Sequence, residues 1–183
     1  MDPETLASQL KEKYLDGMQM MIQMQCEALV EKFGVSPLIC GVAGPIWLHF
    51  VASTHVLEQG WANESLQVAD ALHGDLKERD QDYKSKYQKS KKFKAEPRSS
   101  LYGKKTQIIW ARSIKDRIRL TISLAISFLA CHTAREAVLP TDVIKWALEG
   151  KLPYLAAFVN IEKMLSSVSQ QWPLSPKYLL RPT

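Results

Sequence analysis

The chain has 183 residues, 46% of them apolar and 23% charged, and a formal net charge of +5. This length suits one domain, or one domain and a tail, and the apolar content is that of a globular protein whose core needs neither disulfides nor metal. The three widely separated cysteines (Cys26, Cys40 and Cys131) predict reduced core thiols of an intracellular protein. No signal-peptide pattern is present, and the apolar run 118–131 is too short to span a membrane.

Two helices are predicted in the first third of the chain. Apolar residues recur at three- and four-residue steps over 3–33, which predicts helix 1, and Gly34 follows as its terminator. Ser36-Pro37 supplies the start of helix 2, in which Gly44-Pro45 predicts a kink or a restart. Helix 1 is rich in methionine, which favours a core face, with an adaptable partner surface as the alternative.

Residues 60–106 lack clear periodicity and carry most of the positive charge. Between Lys77 and Lys105 there are eleven Lys or Arg against four Asp or Glu, a local net charge of +7 that leaves −2 for the rest of the chain. Apolar residues between Trp61 and Leu72 are compatible with a short helical piece. Dense like charge with few apolar residues in the stretch that follows predicts that the insertion is disordered. Such a segment suits an anionic partner, and it is equally compatible with a solvated linker of no function.

Three further helices and a tail are predicted in the second half. Helix 3 begins near Gln107 and is apolar on two faces, which predicts a central position. Helix 4 has Pro140 at its first position and Gly150 after its end, and helix 5 begins at Pro153. Three prolines predict an extended tail over 170–183. The sequence therefore predicts an all-α domain of five helices, with helices 1 and 2 in 4–59 and helices 3 to 5 in 107–169.

The sequence offers no catalytic motif, and we predict that the chain is not an enzyme. Glycine-rich phosphate loops and hydrolase motifs are missing from it. Cys131 and His132 are adjacent, but neighbours on a helix point about 100° apart, which argues against a nucleophilic dyad. His49 and His55 are six residues apart and share no helical face. Paired cysteine motifs are missing as well, so we predict no metal and no cofactor.

Two stretches of the sequence carry a family resemblance. Residues 118–158 combine a long apolar helix, a short helix and a Leu-Pro-Tyr turn. This order is similar to the first cyclin fold of the TBP-associated, B-type factor family of RNA polymerase I, the transcription factor IIB-related proteins of the ribosomal RNA gene promoter. The matching residues are Leu139, Asp142, Val143, Ile144, Lys145, Trp146, Leu152, Pro153, Tyr154, Leu155, Ala157 and Phe158, with Gln25, Ala28, Leu29, Gly34, Val35 and Pro37 upstream.

The resemblance covers roughly residues 12–58 and 107–165. It implies a single cyclin-like domain with a long basic insertion between helices 2 and 3. The family also carries a zinc ribbon of paired CxxC motifs before this fold and a second cyclin fold after it. Neither occurs in this sequence, which leaves a fragment, a shortened isoform and a divergent relative open. Because the ribbon is expected to engage the polymerase, recruitment by this chain alone is in question.

The function implied by the resemblance is that of an RNA polymerase I initiation factor subunit in the nucleus and nucleolus. Its implied partners are TBP, other core-factor or selectivity-factor subunits, RNA polymerase I and promoter DNA, without a membrane or a small-molecule substrate. We expect cations to neutralise DNA phosphates without reading bases. The expected contacts are Lys89, Lys91, Lys92, Lys94, Lys104, Lys105, Arg112, Lys115, Arg117 and Arg119. The alternative is a protein-interaction module of the same fold that does not bind DNA.

Overall fold

The computed structural model describes residues 3–58, 60–80, 98–166 and 174–182, and within these ranges the chain is helical and contains no strand. The helices are α1 (Pro3–Phe33), α2 (Leu38–Ser53), α3 (Trp61–Asp80), α4 (Arg98–Arg117), α5 (Thr121–Thr133), α6 (Pro140–Leu148), α7 (Ala157–Ser166) and α8 (Pro176–Leu180). The predicted all-α class is confirmed, with eight described helices where five were expected. Among the described helices, none is both long enough and apolar enough to cross a bilayer.

Helix α1 is the scaffold of the domain, because it contacts α2, α4, α5, α7 and α8. Its end is set by Gly34, whose φ of 67° is a left-handed conformation that favours glycine. The Val35 N–H then donates to the Leu29 carbonyl at 3.3 Å. Met18 and Met21 are fully buried in the core, which supports the interpretation of the methionine-rich face as packing.

Helix α2 passes through Pro45 without interruption, so of the two alternatives predicted at Gly44-Pro45 the restart is wrong, and the kink stays a prediction. Its buried residues include Ile39 and Trp47, and it packs on α5. Helix α5 lies among α1, α2 and α6, which confirms the central position predicted for this part of the chain. Cys131 is buried there and Cys26 is buried on α1, whereas Cys40 is exposed, contrary to the expectation of three core thiols.

The single helix 3 predicted from residue 107 is wrong, because the chain breaks between α4 and α5. The hydroxyl of Tyr14 on α1 donates to the carbonyl of Ile118, so this carbonyl is bonded to a side chain instead of to a helical N–H. The Ile122 N–H donates to the Arg119 carbonyl at 3.0 Å instead of to Ile118. The break changes the helical register, so that Leu120 is buried while Leu129 is 43% exposed.

The prediction of a disordered insertion over 60–106 is wrong for 61–80 and 98–106, which are helical. Helix α3 is attached to α4 by two side-chain contacts. The Trp110 indole donates to the Ala62 carbonyl at 3.0 Å, and the hydroxyls of Ser65 and Ser113 lie 2.8 Å apart. The two residues of each pair are 48 apart in the sequence, so the periodicity of residues 60–106 gives no indication of these contacts. Residues 81–97 lie outside the described ranges.

A buried polar cluster joins three parts of the chain around Gln25, which is fully buried. Its amide nitrogen donates to Ser123 Oγ at 3.1 Å and to the Pro153 carbonyl at 3.0 Å. Its amide oxygen accepts from Ser127 Oγ at 2.9 Å. Ser123 in turn donates to the Leu120 carbonyl at 2.8 Å. The cluster thus links α1, α5 and the loop before α7, with the donors and acceptors of Gln25 satisfied.

The short helix predicted from Pro140 is confirmed as α6. At its start, the Leu139 N–H donates to Asp142 Oδ2 at 3.0 Å. At its end Gly150 has φ 72°, and the Lys151 N–H donates to the Trp146 carbonyl at 2.8 Å, which together form a Schellman-type cap. The next helix begins at Ala157 rather than at Pro153, since the Pro153 carbonyl is taken by Gln25 instead of by a helical N–H.

The extended tail predicted over 170–183 is wrong where α8 forms. Ser175 caps this helix, because its hydroxyl accepts from the Tyr178 N–H at 3.3 Å, and Pro176 occupies the first position. Leu179 and Leu180 are fully buried. Leu180 lies on α1 at Gly17, where an added Cβ would stand 2.5 Å from Leu180 Cδ1. Helix α8 is therefore part of the folded domain and brings its polar face beside α4.

Candidate nucleic-acid interface

A basic stripe runs along α4 into the turn that follows it. Arg112 and Lys115 are three residues apart on α4, which places them on one side of the helix, and Arg119 follows in the turn after α4. Arg112 and Arg119 are exposed, and Lys115 is half-buried. All three line one cavity of about 530 Å³. The structure therefore brings three of the ten predicted contact residues together.

Helix α8 adds two cations that the sequence reasoning did not include. Lys177 and Arg181 line a second cavity of about 590 Å³, which shares Lys115, Tyr178 and Pro182 with the first. We call the two cavities together the basic cleft. Its cations are Arg112, Lys115, Arg119, Lys177 and Arg181, and Asp116 is the acid that lines it.

Lys115 and Tyr178 form the contact at which α4 and α8 meet. Lys115 Nζ donates to the Tyr178 carbonyl at 3.2 Å and stands 5.6 Å from the centre of the Tyr178 ring. Burial lowers the pKa of Lys115, and the neighbouring Asp116 opposes this effect. A half-buried ammonium that has given up part of its hydration is a favourable partner for an anion, because further desolvation costs less.

Arg117 lies apart from the basic cleft. Its Nη2 is 2.8 Å from Glu64 Oε2, in an ion pair that connects α4 to α3. The five-residue offset from Arg112 turns it to a different side of α4. Arg117 is therefore already neutralised by a carboxylate and is not placed to share an anion with the other cations.

The remaining predicted contacts fall outside this geometry. Lys105 is exposed on α4, seven residues before Arg112 and thus on the same side of the helix. Lys104 belongs to α4, but its side chain lies outside the described ones. Lys89, Lys91, Lys92 and Lys94 lie outside the described residues, and their role stays a prediction.

Two other features of the described residues concern metal binding and thiol chemistry. Within 3–58, 60–80, 98–166 and 174–182, no group of three His, Cys, Asp or Glu is placed to hold a metal ion. Burial raises the pKa of Cys131 to about 11, which keeps the thiol protonated near neutral pH. His132 is exposed and its ring lies 6.0 Å from that of Phe128.

This arrangement is suited to binding an anion that carries several charges. Five cations from α4, α8 and the residues just after each of these helices line one open cleft, with an aromatic ring between them. Arginine binds phosphate through paired donors, and lysine does so as a mobile charge. Sequence reasoning missed Lys177 and Arg181 because three prolines were taken to exclude helix. The signal that could have found them is Ser175-Pro176 followed by Leu179-Leu180, a cap before an apolar pair.

An all-helical scaffold with such a cleft is typical of a binding module. Residues 18–163 match the family model described as Rrn7/TAF1B, N-terminal cyclin domain. The chain belongs to this family of RNA polymerase I factors, and both the resemblance and the cyclin-like fold that the sequence predicted are confirmed.

Three plant relatives share one name, which describes the B-type subunit of the TATA box-binding protein-associated factor of RNA polymerase I. Those of Oryza sativa subsp. indica and subsp. japonica are each 38% identical over 185 residues, which cover 100% of this chain and 27% of theirs. That of Arabidopsis thaliana is 41% identical over 179 residues, or 98% of this chain and 26% of its own. The chain thus spans about a quarter of the length of the curated relatives it matches. No solved structure matches it. The relatives' name describes part of a transcription factor rather than a class of enzyme.

Proposed function

We propose that this domain acts within an RNA polymerase I initiation factor and helps to assemble the pre-initiation complex at the core promoter of the ribosomal RNA genes. Its place of action is then the nucleus, and within it the nucleolus. The partners in this proposal are TBP, the other core-factor or selectivity-factor subunits, RNA polymerase I and promoter DNA. Membership of the family and the name of its relatives support the role in the factor.

The observation that carries the DNA contact is the convergence of five cations in the basic cleft. DNA presents a regular row of phosphates, and a protein that neutralises them releases condensed counterions. The cleft offers arginines and lysines, and its described lining offers no set of amide side chains suited to reading base edges. We therefore expect binding through it to be mainly to phosphates and strongly dependent on salt.

The test is a titration of a fluorescent duplex of about 30 base pairs at several salt concentrations. We compare the chain with its Arg112→Gln/Arg119→Gln/Arg181→Gln variant. Each phosphate contact contributes about 0.9 to the slope of log K against log salt, so losing three contacts reduces the slope by about 2.7. If five contacts form, raising salt fourfold weakens the wild-type complex about 500-fold and the variant complex about tenfold.

Two matched controls remove a single arginine elsewhere. Arg117→Gln removes the cation paired with Glu64, and Arg135→Gln removes an exposed cation after α5. Both should leave the affinity and the salt slope unchanged. A wild-type affinity that is insensitive to salt, or a triple variant with the wild-type slope, would contradict DNA binding through the basic cleft.

The apolar groove described below favours the second candidate function, a protein-interaction module without DNA binding. The duplex titration separates the two, and co-purification from nuclear extract tests the protein contacts that both require. The tagged chain and its triple variant should both retain TBP and polymerase I subunits if the protein contacts lie elsewhere. Loss of these proteins from the wild-type chain itself would count against a role in assembly.

A further inference from the structure

An apolar groove runs between α5 and α6, on the face next to the basic cleft. Leu124 and Phe128 of α5 form one wall, and Val143, Ile144 and Leu148 of α6 form the other. The volume of the groove is about 440 Å³, and it is lined by no charged residue. We call this feature the apolar groove.

The outer wall of the groove is open to solvent. Val143 and Ala147 face the core and are each 1% exposed, but Ile144 is 52% exposed and Leu148 is 65% exposed. Ile144 and Leu148 are four residues apart and therefore adjacent on the helix. Ile144 and Leu148 thus form an apolar side of α6 that has no cover among the described residues. Concave apolar patches of this kind mark interaction sites.

The groove is continuous with the basic cleft, because Thr121 and Tyr154 line both. Acidic groups near α6 are already engaged. Asp142 accepts the Leu139 N–H, and Glu149 Oε2 lies 2.7 Å from Lys151 Nζ. An occupant of the groove consequently meets apolar walls along its length and the cations of the basic cleft at one end.

We infer that the apolar groove binds an amphipathic helix of a partner protein that is acidic at one end. Aliphatic side chains at three- and four-residue steps fill the groove, and carboxylates at the end next to Tyr154 meet Arg112 and Arg119. Helix-in-groove docking of this type uses anchors on one face of the bound helix. DNA is a poor occupant, because walls of leucine, isoleucine and phenylalanine provide no donor for phosphate. The acidic end of the bound helix and DNA would share Arg112 and Arg119, whereas the contacts with Ile144 and Leu148 do not depend on DNA binding.

The probe is a fluorescein-labelled helical peptide of about 18 residues, with leucines at helical spacing and three glutamates at one end. It is made in two versions, with the glutamates at the N-terminal or at the C-terminal end. A second peptide carries lysines in place of the glutamates. We expect the acidic peptide to bind the 183-residue chain, and Ile144→Ser/Leu148→Ser to weaken this binding by about tenfold or more. The Arg112→Gln/Arg119→Gln variant should bind the acidic peptide about tenfold more weakly than the wild type, and any binding of the lysine peptide should stay unchanged.

The matched control is Leu38→Ser/Leu57→Ser, which removes two leucines that are 60% and 56% exposed and lie outside the groove. It should bind the acidic peptide as the wild type does. Equal binding by the Ile144→Ser/Leu148→Ser variant, or an equal loss in the control, overturns the proposal. Dimerisation in light scattering that this variant abolishes makes a second copy the occupant and also overturns it.

The DNA titration distinguishes this inference from the proposed function. A chain that binds the acidic peptide through Ile144 and Leu148 but shows no affinity for the duplex supports the groove and contradicts the DNA contact. A chain that binds the duplex but not the peptide supports the DNA contact and contradicts helix binding in the groove.

Discussion

Replacing Gln25 by alanine should destabilise the domain more than any other single polar substitution in α1. Gln25 is fully buried and makes hydrogen bonds with Ser123, Ser127 and the Pro153 carbonyl. Alanine removes all three bonds and leaves the Ser127 hydroxyl and the Pro153 carbonyl without these partners. The perturbation therefore acts on α1, α5 and the loop before α7 at once.

The magnitude follows from the groups left unsatisfied. Each buried donor or acceptor that loses its partner costs about 1–3 kcal/mol, so two such groups cost about 2–6 kcal/mol. The small cavity adds to this cost. Because a domain of this size is stable by about 5–15 kcal/mol, Gln25→Ala should remove a large part of its unfolding free energy.

Urea unfolding followed by helical circular dichroism measures this loss. In the double variant Gln25→Ala/Ser127→Ala, the stranded hydroxyl is gone, so the two costs should fall short of additivity by about 1–2 kcal/mol. Gln23→Ala is the control, since its exposed amide reaches only Glu27 on the same helix, and it should cost less than about 0.5 kcal/mol. A loss below about 1 kcal/mol for Gln25→Ala, or strict additivity in the double variant, would refute the reasoning.

Two further predictions concern close packing and thiol chemistry. Gly17→Ala should loosen α8, because the added Cβ meets Leu180, and hydrogen exchange over 174–182 should become faster. Gly41→Ala is the control: its Cβ would meet open space, so it should stabilise α2 by up to about 1 kcal/mol. Unchanged exchange after Gly17→Ala would contradict the close approach. At about pH 8 a thiol reagent should modify Cys40 rapidly and the buried Cys26 only on unfolding. Burial raises the pKa of Cys26 to about 12, so the folded state keeps a proton that the unfolded state releases. The urea midpoint should then fall as pH rises above about 9, and a rising midpoint would refute this sign.

Local patterns were enough to predict the elements that are defined by residues close in sequence. Helix α1 ends at Phe33, directly before Gly34, and α6 begins at Pro140 and ends two residues before Gly150, as the capping residues indicate. The elements that were missed depend on distant partners. The break before α5 rests on Tyr14, which is 104 residues away from Ile118, and α3 rests on Trp110. A periodicity argument treats each segment alone and contains neither contact.

The candidate site was predicted in part for the same reason. Helical spacing places Arg112 and Lys115 on one side of α4, and the structure agrees; Arg119 lines the same cavity from the turn after α4. Spacing gives no information on partners from other helices. The prediction therefore included Arg117, which is paired with Glu64 of α3, and omitted α8, whose position depends on burial against α1.

The hydrogen bonds of α1 also have a consequence for the order of folding during synthesis. Gln25 reaches Ser123 and Pro153, which are 98 and 128 residues further along the chain. Ribosomes add about 5–20 residues per second, so α1 waits roughly 6–26 s before the Pro153 carbonyl exists. Helical proteins with mainly local contacts fold far faster than this. During that interval the methionine-rich face of α1 is uncovered, and nascent chains should be sensitive to chaperones that bind apolar helices.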